Sequence, residues 1–206
     1  MLPFLRYWGR VLRPFRTSDR QKTKLFAAAS ETPLSSPRLL TLAGLLGTPP
    51  KGFAHDLSRS RIGRGPQIFF RACEALKSWE HFDLGWVRVT NPIPAILPGE
   101  LVAVEARTGC FWSINFSRIT EVVSSPNRFG FMYTTTSFHV EEGQECFVID
   151  FDSKSEWVTY LTEAVSRPRH PLARIGYPFS RAMQYRFMRD SHARMKLTVS
   201  DAYAES

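Results

Sequence analysis

Residues 101–136 read LVAVEARTGCFWSINFSRITEVVSSPNRFGFMYTTT, and this stretch decides the fold class. Apolar residues recur at every second position through Leu101–Thr108, Phe111–Val123 and Arg128–Thr136, which is the period of a half-buried strand and not of a helix. Gly109 and the run Ser125-Pro126-Asn127 separate the three segments. Connections this short join antiparallel neighbours, so the stretch predicts a β-meander. The same alternation extends it to Trp86–Thr90 on one side and to Glu145–Phe151 and Trp157–Ser166 on the other, with Glu142-Gly143 and Asp152-Ser153 as further turns.

Outside the meander the period changes. Ile68, Phe69, Ala72, Ala75, Leu76, Trp79 and Phe82 follow helical spacing, and Gly65-Pro66 is a suitable start because proline in a first turn loses no hydrogen bond. A short strand is expected just before it, at Leu57–Ile62, and a last helix over about Pro171–Leu197, interrupted near Gly176 and Pro178. The fold class is α+β: one strand, a helix, five or six antiparallel strands, and a long final helix. This order resembles the helix-grip fold, in which a curved sheet holds the C-terminal helix and leaves a cavity between them. Ser58 to Trp79 is similar to the opening of polyketide-cyclase-like and START-like proteins.

The formal net charge of +8 lies mostly in one place. Arg6, Arg10, Arg13, Arg16, Arg20, Lys22 and Lys24 stand against Asp19 alone in the first 24 residues, leaving only +2 for the rest. A nucleic-acid-binding fold carries its basic face on the folded body, so nucleic acid is not the expected partner. Residues 3–13 read as an amphipathic helix with Phe4, Trp8, Val11 and Phe15 on one side and Arg6, Arg10 and Arg13 on the other. Three readings stand: an interfacial anchor on an anionic membrane through residues 3–16, an organelle transit segment, or an inert tail. Thr17 to Pro37 reads as a linker. The expected division is a basic extension over 1–37, one domain over 38–198 and a tail over 199–206. Cys73, Cys110 and Cys146 form no C-x-x-C pair, so neither a disulfide framework nor a zinc ribbon is expected, and a reducing, cytoplasmic setting is. No run of about 18 apolar residues exists to span a membrane. The 16 Phe, 6 Tyr and 5 Trp give either a bulky core or the lining of an apolar cavity.

Several motifs in order call up a narrower group. Ile62-Gly63-Arg64-Gly65, Trp112-Ser113-Ile114-Asn115, Phe129-Gly130-Phe131 with Tyr133-Thr134-Thr135, His139, Glu145-Cys146-Phe147 and Ser166-Arg167-Pro168 resemble the uncharacterised protein family 0548 over about residues 40–195. The resemblance implies a helix-grip relative without an assigned activity, and an arginine where this chain has Cys146.

Strand parity places the candidate site residues. Phe129, Phe131 and Tyr133 share a face that continues to His139; Phe147 shares one with Glu145; Trp112, Ile114 and Phe116 share one with Arg118. If the aromatic faces line the interior, Arg118, Glu145 and His139 lie at its rim or inside, and an inward Arg118 needs a carboxylate partner such as Glu145 or Glu163. The functional reading is a polar anchor for an amphipathic, possibly anionic ligand walled by Trp112, Phe131, Tyr133 and Phe147; the plain alternative is a structural ion pair. No metal spacing, phosphate loop, dinucleotide fingerprint or nucleophile elbow occurs, so no cofactor is expected. Three functions remain open: a non-enzymatic binder of a small apolar or lipid-like molecule, a membrane or interaction module acting through the basic N-terminus, and an enzyme using Glu145 or His139 as acid or base.

Overall fold

A computed structural model of the chain describes residues 12–90, 92–169 and 177–201. Seven antiparallel strands form the sheet in the order β4-β10-β9-β8-β7-β6-β5: β4 (Ala54–Arg64), β5 (Val87–Val89), β6 (Leu101–Thr108), β7 (Phe111–Ser125), β8 (Arg128–Thr135), β9 (Glu141–Phe151) and β10 (Trp157–Pro168). The short β1 (Leu12–Arg13) pairs with β7 at Ser113 and Trp112. The sheet curls around a last helix, α3 (Tyr177–Asp201), giving the helix-grip arrangement expected from the element order.

The first helix of the grip, α2 (Pro66–Lys77), buries Ile68, Ala72, Ala75 and Leu76. It ends at Ser78, and Trp79 adopts a left-handed conformation (φ 61°) that leads into a 3-10 turn, Glu80–Phe82. That conformation costs roughly 1–2 kcal/mol in a non-glycine residue, and the burial of Trp79, whose Nε1 donates to Pro94 O at 2.9 Å, offsets it. The turn carries His81 and Phe82 into the concave face beside Phe131, Phe147 and Phe187.

The convex face is covered as well, and here the sequence reading is corrected. Thr17–Pro37 is not a linker: it contains α1 (Asp19–Ser30), whose Leu25 and Ala29 pack on Ile114, Phe116 and Phe138. Glu105, 1% exposed, fixes this arm through Lys22 at 3.4 Å and Arg16 at 3.1 Å, with Arg88 at 3.0 Å from the sheet itself. A carboxylate this buried is tolerable only with such partners. The hairpin of β2 (Leu40–Thr41) and β3 (Gly44–Leu45) covers Met132, Cys146, Val148, Leu161 and Val165. Gln144 clamps it by accepting from Leu39 N–H (2.5 Å) and Leu40 N–H (2.9 Å). The helix expected over 3–13 lies outside the described residues up to position 11, and Leu12–Arg13, its end, is strand.

Two strand details also differ from expectation. A bulge at Thr120 shifts the register of β7 against β8, so that Ile119 and Val122 both face the concave core. Gly143 is not a turn residue but lies inside β9, where a Cβ would meet Val165 O at 2.2 Å. The turn is earlier, after Thr136. Cys73 and Cys146 are buried and Cys110 is exposed beside Gly109.

Candidate functional site

Between the concave face and the first turns of α3 lies a cavity of about 180 Å³. Its walls are apolar on one side, with Phe82, Trp86, Val104, Ala106, Met183 and Phe187. The other side is polar, with Asn115, Ser117, Tyr133, His139, Glu141, Glu145 and Ser180. Odd-numbered residues of β8 and β9 face inward, which is why Tyr133 and Glu145 meet: Tyr133 OH donates to Glu145 Oε2 at 2.5 Å. At the start of β9, Glu141 N–H donates to Nδ1 of His139 in the preceding turn at 3.0 Å, and Ser180 at the start of α3 donates to the Glu141 carboxylate. Helix α3 is held over the cavity by Arg181, whose guanidinium grips Asp56 of β4 through both nitrogens and also donates to Tyr185 OH.

The electrostatics follow from burial. Loss of water raises the Glu145 carboxyl to about 7, with the nearby Glu141 and Asp56 charges adding to the rise and the Tyr133 hydroxyl opposing it. Glu145 is half-buried and lines the cavity. Burial also drives the Tyr133 phenol well above its ordinary value, with the Glu145 charge acting in the same direction. His139 is pushed down by burial, so the ring is neutral near pH 7. The polar end can therefore accept hydrogen bonds, donate one from a protonated Glu145, and attract positive charge. No lysine or arginine lines it among the described residues.

Of the sequence-predicted site residues, Glu145, Tyr133 and His139 converge on this cavity. Phe131 and Phe147 are fully buried in the aromatic core beside it, 5.3 Å apart by ring centroids, and do not line it. Trp112 and Arg118 share a face as parity requires, but that face is convex. Arg118 donates to Gly99 O and Ser30 O, both at 2.9 Å, and so ties the end of α1 to the sheet. Arg16 lies over the Trp112 ring at 5.7 Å. Neither expected carboxylate pairs with Arg118: Glu145 faces the cavity, and Glu163, buried on the convex side, bonds His55 at 2.8 Å. The sequence reading missed Asn115, Ser117, Glu141, Ser180 and Met183. Alternation puts the first two on one face of β7, but that face is the less apolar one and does not read as the inner one.

His81 was also missed. It is fully buried among rings, and neither ring nitrogen has a hydrogen-bond partner among the described residues. Burial lowers its pKa to about 3. Among the described residues no group of three or more His, Cys, Asp or Glu side chains is placed to hold a metal ion, and no helix is long and apolar enough to cross a membrane.

Residues 40–194 match the family model described as a domain of unknown function, DUF1990. A UPF0548 protein of Dictyostelium discoideum is 33% identical over 158 residues, covering 71% of this chain and 73% of the relative. A UPF0548 protein of Arabidopsis thaliana is 28% identical over 146 residues, covering 68% and 70%. Among solved structures, the di-domain ARO/CYC protein BexL from the BE-7585A biosynthetic pathway is similar at 14% identity and a TM-score of 0.48, over 73% of this chain and 51% of that one.

Proposed function

The chain belongs to the DUF1990 family, and from that premise we propose that it binds a small, mainly apolar molecule with a neutral or cationic polar head in the cavity beneath α3. The observation that carries this is Glu145: a carboxyl raised to about 7, hydrogen-bonded to Tyr133, lining a cleft open to solvent whose opposite wall is apolar. Buried ionisable groups of this kind concentrate where ligands are handled. The volume of about 180 Å³ is close to that of an engineered apolar cavity that takes benzene, about 150 Å³, so the ligand is one ring or a short chain in size. Because the polar end holds two carboxyls and a neutral imidazole, an anionic head group is disfavoured, which reverses the charge preference that Arg118 had suggested.

Binding fits the geometry better than catalysis. Among the described residues the hydrogen-bond partner of the Glu145 carboxyl is Tyr133, whose phenol stays protonated, and no activated nucleophile lines the cavity. The membrane reading loses ground because Arg16, within its basic segment, is engaged by Glu105. The test is titration of the full-length chain with benzylamine, benzyl alcohol and benzoate, followed by amide NMR. We expect shifts at Tyr133, Glu145 and Ser180, with affinity falling in that order of ligands. Benzoate binding best would overturn the head-group assignment, and no shift with any of the three would overturn the cavity reading.

A further inference from the structure

The convex face carries a second concavity that the grip cavity does not use. Where hairpin β2–β3 stands over the sheet, its turn at Leu42 and Ala43, with Gly44 at the start of β3, borders a groove of about 720 Å³. That is four times the volume of the grip cavity and within the roughly 300–1,000 Å³ typical of small-molecule sites. Leu42, Val123 and Leu161 give it an apolar surface. Each carboxylate on its rim is already engaged: Glu121 by Arg38 (3.1 Å), Asp150 by Arg128 (2.8 Å) and Glu163 by His55 (2.8 Å). Arg59, exposed on edge strand β4 beside Leu161, has no ion-pair partner among the described residues. Two residues along the same face, Arg61 lies over the Trp157 ring at 4.7 Å and adds to the positive field.

We propose that this groove is a binding site for a small amphipathic anion. Its apolar body would lie on Leu42, Val123 and Leu161, and its carboxylate, sulfonate or phosphate would take the free guanidinium fork of Arg59. The site is independent of the grip cavity and of opposite charge preference, so the two can be tested separately. The probe is anilinonaphthalene sulfonate, compared with phenylnaphthylamine, which has the same rings without the sulfonate. Both are titrated into the full-length chain by fluorescence and amide NMR.

The sulfonate is expected to bind about tenfold tighter than the amine, the scale of one charge-assisted contact. Its amide shifts should fall at Ala43, Gly44, Arg59 and Thr159. Arg59→Gln should weaken it about tenfold, Thr159→Phe should fill the groove and abolish it, and Lys51→Gln, an exposed cation outside the groove, should leave it unchanged. Equal affinity for the two probes, insensitivity to Arg59→Gln, absence of binding, or shifts at Tyr133 and Ser180 instead would each overturn the proposal. Should one variant fail to fold, the other and the shift map decide.

Discussion

The two faces of one sheet are buried by different means. On the concave side, Phe131, Phe147, Tyr160, Trp79 and Phe187 close against one another and against helices α2 and α3. On the convex side the cover is residues 16–45, held by a buried carboxylate with three cations, a glutamine clamp and a few leucines. One side is sealed by ring surface, the other is pinned by charge. Alternation along a strand tells which residues share a face; it names the inner face only when the other face is wet. Here neither is.

Replacing Phe147 by alanine should have the largest effect, a loss of about 3–5 kcal/mol in urea unfolding, because its ring is fully buried among five others. A loss below about 1 kcal/mol would mean that the concave side is not the principal core.

Glu145→Gln sharpens the contrast through pH. The folded carboxyl titrates near 7 against about 4.5 in the unfolded chain, so between those values the unfolded state binds fewer protons and stability falls as pH rises. Above about pH 7 the full cost is present, at most about 3 kcal/mol. The variant should be more stable than the parent at pH 8 and equal to it at pH 4, and its stability should lack the downward slope between. Parallel profiles for the two proteins would remove Glu145 from the interior.

Arg118→Met should cost the least, about 1 kcal/mol, for two hydrogen bonds to carbonyls at the margin of α1. Its NMR changes should stay near Ser30 and Gly99. Changes at Tyr133 or Ser180 would put Arg118 back in contact with the cavity.

These residues also explain what was legible. The strand bounds Leu101–Thr108 and the stripe of α2 were readable because each has one regular period and a clear stop. Tyr133 and Glu145 were readable as one group because odd positions of β8 and β9 share the concave face, while His139 reaches the same cavity from the turn between the two strands. Arg118 and Trp112 went wrong for a physical reason. On β7 the more apolar face, Ile114 and Phe116, is the outer one, covered by α1, while Asn115 and Ser117 face inward at the polar end of the cavity. Hydrophobicity pointed away from the site.

Helix α1 escaped notice because DRQKTKLFAAAS buries few apolar side chains and depends on Glu105, 75 residues beyond its end in sequence. Gly143 was read as a turn because glycine serves equally where a chain reverses and where two backbones crowd; the contact with Val165 is visible only in the fold.

The cysteines give the molecule an unplanned handle. Burial raises Cys73 to about 11 and Cys146 to about 12, while Cys110 lies exposed at the β6–β7 turn. A maleimide dye should therefore modify the native chain once, at a known tip, without mutagenesis, and a folded sample stored without reductant should form one covalent dimer through that tip and no higher polymer.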